Sequence, residues 1–171
     1  AGVLAEHAAV RERVGLFDVS HLGKARVVGL GALDYLNSQF TNDLNRIVDS
    51  KAQYTLYCTP EGGVIDDLIV YRNSAEDFFL IPNASNTNDV VSTLQTNAPV
   101  GISITNLHTS YAVLALQGPR AHDVMQSLGI NPAMDYMAFT HVTIAGCDVI
   151  LCRTGYTGEQ GFEIVPKVED A

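Results

Sequence analysis

The sequence predicts an α+β protein built on antiparallel β-sheets with helices inserted at intervals, and three observations predict it. Apolar, β-rich runs outnumber helical ones along the 171 residues. Many of the connections between them are shorter than the roughly dozen residues that a parallel crossover takes. The segment "AQYTLYC", "TPEGG", "VIDDLIVY" places two β-rich runs on either side of a short Pro/Gly turn, which is a hairpin pattern.

Taken in order, residues 4–14 ("LAEHAAVRERV") have helix-forming composition, with Gly15 as the expected stop. "KARVVGL" reads as a strand. "GALDYLNSQF" reads as a helix with Leu33, Leu36 and Phe40 on one side. The hairpin follows, then the strand "DFFLIP". A helix is expected from Asn86 or Thr87, with Val90, Val91 and Leu94 facing inward. "GISIT" and "SYAVLAL" are strands. "GPRAHDVMQSLG" opens with a proline at a first-turn position and closes on glycine, as helices do. "HVTIAG", "CDVILCRT" and "GFEIV" complete the strands. No repeat, low-complexity segment or Pro/Gly/Ser-rich linker divides the chain, and its length suits one sizeable domain or two small lobes.

Composition narrows the function. Hydrophobic residues make up 47% of the chain, enough for a packed core. The net charge of −9, from 19 acidic and 10 basic residues, argues against nucleic acid and anionic membranes as partners. No apolar run reaches the roughly 20 residues of a membrane span. Three cysteines (Cys58, Cys147 and Cys152), with no CxxC, suggest a reducing compartment. The chain begins "AGVLAEHAAV" without a methionine, and a piece of a longer protein is expected.

The most informative stretch is "EGGVIDDLIVYR", where two aspartates interrupt an apolar strand. Burying an unpaired carboxylate costs several kcal/mol. Alternation along a strand puts Asp67 on one face with Ile65, Ile69 and Tyr71, and Asp66 on the other with Val64, Leu68 and Val70. The two are therefore not a facing acid/base dyad. With a four-residue loop from Pro60 to Gly63, Thr59 pairs with Val64 and Tyr54 with Ile69, which gathers Tyr54, Asp67 and Tyr71 on one face. A one-residue slip would send Tyr54 to the other face. The plain alternative is a pair of polar strand residues near a turn.

"RTGYTGEQGFE" follows a strand and carries three glycines. Such density suits close backbone approach to a ligand or, equally, a tight loop between strands. It matches neither a Walker loop nor the GxGxxG fingerprint. "LQGPRA" reads first as a strand-to-helix turn. In "FDVSHLG", Ser20 and His21 are neighbours with no third group to orient the base. His7, His108, His122 and His141 lack metal-ligand spacing, and no metal is expected.

Together these stretches resemble one family. "VGLFDVSHLG", "TNDL", "KAQYTL", "EGGVIDDLIVYR", "PNASNT", "LQGP" and "RTGYTGEQGFEI" occur in the order found in the aminomethyltransferases, the T-proteins of the glycine cleavage system. The match runs from Val14 to Ile164, about the first half of a typical member. The resemblance implies a folate-binding core and a transfer reaction. The aminomethyl group on the lipoyl arm of the H-protein is taken up, ammonia is released, and tetrahydrofolate becomes 5,10-methylenetetrahydrofolate. It implies that Asp67 faces the reacting nitrogens of the pterin. Tyr54, Tyr71, Ile81, Asn83, Tyr156 and Glu159 are implied in folate binding, with Glu159 accepting from the pterin's amino and ring N–H groups. A bacterial cytoplasm or a mitochondrial matrix is the implied location. The family's upstream "GW.MP" region, its downstream "GLGARD" region and its C-terminal domain have no counterpart here. Folate-dependent demethylating domains and an iron–sulfur repair factor share the fold and stand as alternatives, as do a folate-holding module without catalysis and an inactive structural fragment.

Overall fold

A computed structural model describes residues 2–131 and 133–171, and it is the mixed helix and antiparallel-sheet protein expected. The chain folds as two compact units, one from the segment ending at Ser20 together with Tyr111–Ala171, the other from His21–Ser110.

The His21–Ser110 unit contains strands β2 (Ala25–Val28), β3 (Lys51–Cys58), β4 (Val64–Ser74), β5 (Asp77–Ile81) and β6 (Ser103–Asn106), with helices α2 (Ala32–Gln39) and α3 (Thr87–Asn97). The sheet order is β3-β4-β5-β2-β6, and every pairing is antiparallel. The helices bury the faces the sequence marks. Val90, Val91 and Leu94 of α3 and Leu36 of α2 join Val27, Leu68, Val70 and Leu80 of the sheet in one core. Each such side chain stabilises the unit by about 1.5–3 kcal/mol on burial. Leu33 packs at the edge of this core, and Tyr35 is buried with its hydroxyl donating to Leu94 O at 2.6 Å. Burial pushes the Tyr35 phenol up to about 12.

The other unit carries α1 (Val3–Glu12), β1 (Gly15–Asp18), β7 (Leu114–Gln117), α4 (Ala121–Ser127), β8 (Phe139–Ile144), β9 (Cys147–Cys152) and β10 (Gly161–Pro166). Its sheet, also antiparallel, has the order β1-β7-β10-β9-β8, and α4 packs Ala121 and Met125 against Leu116, Leu151 and Phe162. Two expectations are corrected here. Gly15 does not merely end a helix. It opens β1, a four-residue edge strand whose largely exposed side chains give no alternation to read. And α4 starts at Ala121 rather than with Pro119. Gly118 holds φ 136, where a Cβ would stand 2.5 Å from Arg13 O and 2.8 Å from Val10 O. The backbone passes so close to the end of α1 that only glycine fits, and the helix begins past that crossing. Among the described residues, no helix is long and apolar enough to cross a membrane.

Candidate functional site

The hairpin positions the two aspartates. Tyr54 pairs with Ile69 as expected, and so do Leu56 with Asp67 and Ala52 with Tyr71. The turn differs from expectation. Cys58, not Thr59, pairs with Val64, and Ile65 is an extra residue in β4. Thr59 is drawn into the loop, where its N–H donates to Gly63 O at 2.7 Å and its Oγ1 accepts from Gly63 N–H at 3.2 Å. The bulge at Ile65 restores the register, so that Tyr57 meets Asp66.

Alternation then separates the carboxylates. Asp66 points to the core side, opposite Tyr57, and is 1% exposed. Asp67 points to the other side and is half-buried. Beside it on that face stand Tyr54, 44% exposed, Ile69, and the fully buried Tyr71, whose ring lies 6.2 Å from that of Phe79. Ile81 of β5 pairs with Ile69 and completes the row. The structure therefore brings Tyr54, Asp67, Tyr71 and Ile81 to one face of one sheet.

Both carboxylates meet Asn83, just past the end of β5. Asp66 Oδ2 accepts the Asn83 backbone N–H at 3.0 Å, and Asp66 Oδ1 accepts Asn83 Nδ2 at 3.0 Å and Asn86 Nδ2 at 2.8 Å. The same Asn83 Nδ2 lies 2.8 Å from Asp67 O and 3.1 Å from Asp67 Oδ1. Asp67 Oδ2 accepts the Tyr54 hydroxyl at 2.8 Å. That bond, with burial and the carboxylate's charge, raises the Tyr54 phenol above its ordinary value. Asn86 precedes α3 but does not cap it, since its amide is turned to Asp66. The buried carboxylate thus lies against the turn that leads into α3, where negative charge is favoured. Gly23 closes the back of this turn. Its N–H donates to Pro82 O at 2.8 Å, and a Cβ there would collide with Pro82 and Thr87.

Tyr156 and Glu159 belong to the other unit, in the glycine-rich loop between β9 and β10. Tyr156 is 67% exposed. Glu159 Oε1 accepts Arg11 Nη1 of α1 at 2.7 Å. The loop is wound around a residue the sequence reading assigned only to a turn. Gln117, 1% exposed, donates from Nε2 to Thr154 O at 3.1 Å and Phe162 O at 3.3 Å, while its Oε1 accepts Thr157 Oγ1 at 2.9 Å. A Cβ on Gly155 or Gly161 would overlap the Gln117 amide. Thr157 Oγ1 in turn accepts the Glu159 backbone N–H at 3.2 Å. Gln117 and Arg11 were missed because their partners lie 37–45 and 148 residues away. The only hint to Gln117 was that "LQGP" and the glycine-rich loop each stood out separately.

Ser20 Oγ accepts the Val113 N–H at 3.1 Å, joining two chain segments. Among the described residues no group of histidine, cysteine and acidic side chains is arranged to hold a metal.

The family model described as the GCVT N-terminal domain matches residues 1–171. The aminomethyltransferase of Mycobacterium bovis is 58% identical over all 171 residues, and that of a Parafrankia species 55% over 170 residues, 99% of the chain. In each case the match covers 47% of the relative, so the chain spans about half the length of the curated relatives it matches. The crystal structure of the glycine cleavage system aminomethyltransferase T of Bartonella henselae superposes with a TM-score of 0.90 at 31% identity, over 99% of this chain and 46% of that one. A heterotetrameric sarcosine oxidase from a Corynebacterium species shares the fold alone, with a TM-score of 0.68 at 18% identity, over 97% of this chain and 83% of that one. The chain belongs to the GCVT N-terminal domain family.

Proposed function

We propose that this chain is the N-terminal, folate-binding part of a tetrahydrofolate-dependent aminomethyltransferase of the glycine cleavage system. In this reading the parent protein accepts the aminomethyl group from the lipoylated H-protein, releases ammonia and forms 5,10-methylenetetrahydrofolate. The observation that carries it is the Asp67 carboxylate. It stands on a face with Tyr54 and Tyr71, and both of its oxygens are held, one by Tyr54 and one by Asn83.

The Asp67 carboxylate suits a reduced pterin, because a pterin edge is rich in N–H groups and a carboxylate is an acceptor. Tyr54 offers an aromatic face with a polar tip. Asp67 would orient the folate N5 and N10 and stabilise positive charge developing on nitrogen, a proximity and electrostatic role. Ile81 and Asn83 are assigned folate contacts at the end of β5. Glu159 and Tyr156 keep the folate-binding role that the family resemblance gives them. The Arg11–Glu159 pair does not oppose this. A half-exposed pair of this kind contributes about 0–1 kcal/mol, and a carboxylate has capacity for further donors.

The test is Asp67→Asn in the full-length protein. Tetrahydrofolate binding is followed by calorimetry, and ammonia release is followed with aminomethylated H-protein. Loss of transfer by at least about a hundredfold, with folding retained, is expected for removal of a charge acting in the transition state. Near-wild-type transfer would sink the assignment. A wild-type protein that binds folate without releasing ammonia would instead be a binding module, and one with neither activity a structural fragment.

A further inference from the structure

Asp66 is a carboxylate 1% exposed on the core side of β4, with a role in neither folate binding nor transfer assigned above. We propose that Asp66 is a positioning residue for the transfer reaction. It fixes the side-chain amide of Asn83, and through that amide it fixes the Asp67 carboxylate. This inference rests on the function proposed above.

Asp66 grips Asn83 at two points. One oxygen takes the backbone N–H and the other the side-chain Nδ2, each at 3.0 Å, so the side chain cannot turn without losing a bond. The third bond, from Asn86 Nδ2 at 2.8 Å, holds the Asp66 carboxylate itself. The amide orientation is therefore unique. Rotating it by half a turn would aim Asn83 Oδ1 at three acceptor oxygens, Asp66 Oδ1, Asp67 Oδ1 and Asp67 O. Its two protons are engaged by the two aspartates, which leaves its oxygen rather than its donors for a ligand. Asp67 is thus held from below by Asn83 and from the side by Tyr54. Tyr54 is 44% exposed, whereas Asp66, on which the Asn83 link rests, is 1% exposed. Water has little access to Asp66, so no water can replace a lost bond there.

A merely structural Asp66 would staple β4 to the turn before α3 and change stability alone. The two roles separate in the full-length protein by comparing Asp66→Asn, Asp67→Asn and the double variant. The readouts are transfer kcat, tetrahydrofolate Kd, and the nitrogen-15 NMR signal of the Asn83 side-chain amide without substrate. Asp66→Asn is expected to shift the amide signal, to lower kcat by about tenfold, and to leave Kd within about twofold, as expected for a misaimed group rather than a lost one. In the Asp67→Asn background it should add less than about twofold, because both act through one carboxylate. Asn86→Ala removes one of the three bonds while leaving Asn83 gripped. It should lower kcat by about threefold, and it carries the test if Asp66→Asn does not fold. Wild-type kcat in a folded Asp66→Asn protein, losses that multiply in the double variant, or an unmoved Asn83 signal would each overturn the proposal. So would wild-type kcat for Asn86→Ala if that variant alone folds. Wild-type transfer by Asp67→Asn overturns the assigned function instead, and the Asn83 signal still decides whether the link exists.

Discussion

Each of the two units holds a loop with one amide side chain, and they do it by different physics. In the His21–Ser110 unit, Asn83 donates to two carboxylates, so the bonds are charge-assisted and their number matters most. In the other unit, Gln117 donates to two backbone carbonyls and accepts one hydroxyl, with no charge involved. There the fit is made by shape, since Gly155 and Gly161 leave no room for a methyl group beside the amide. Fixing the direction of a carboxylate calls for a network that resists rotation. Presenting an exposed loop calls for a plug that fixes its path. The cost of a substitution should follow that distinction.

The contrast breaks most visibly at Gln117→Glu, which keeps the shape and adds a charge. The new carboxylate would face Thr154 O and Phe162 O, two acceptors, with no cation among the bonds Gln117 makes. A destabilisation of about 3–5 kcal/mol is expected for an uncompensated buried charge, read from urea unfolding. A loss below about 1 kcal/mol would show that the socket is not neutral. Gly161→Ala comes next. Its Cβ would sit 2.5 Å from Leu116 O as well as against the Gln117 amide, so backbone must move. About 2–3 kcal/mol is expected by the same measurement, as for overpacking of a tight site.

The smallest effect sharpens the charged side of the contrast. The Tyr54 phenol is raised above 10.0, first by its hydrogen bond to Asp67, then by desolvation and by the carboxylates' charge. The neutral phenol makes that bond, so its stabilisation is present below pH 10 and is lost as pH rises through the raised value. An NMR titration of the Tyr54 ring should show this, and Asp67→Asn should bring the value down towards 10.0. An unchanged value would mean that Tyr54 does not hold Asp67 in solution.

What the sequence made legible was local. Strand alternation separated Asp66 from Asp67, and hairpin pairing put Tyr54 beside Ile69, because both depend on residues within one hairpin. The buried faces of α2 and α3 followed from helical spacing. The single β1 edge strand had no such spacing, and it is a strand only because β7 pairs with it. The identity of the group that holds Asp66 was out of reach for the same reason. Asn83 and Asn86 are 17 and 20 residues away, brought there by the β4–β5 pairing and the turn before α3. Glu159 was singled out by resemblance, while its Arg11 partner lies 148 residues earlier and no local pattern joins the two.

The bulge at Ile65 has a consequence for how this hairpin tolerates change. It stands between the turn and Asp66, and it breaks the arithmetic that would otherwise tie strand register to loop length. A rigid ladder transmits each inserted residue as a half-rotation of every side chain beyond it. Here one residue of slack is already stored ahead of the carboxylates. One extra residue between the turn and Asp66 is thus absorbed without turning Asp67 off the face it shares with Tyr54.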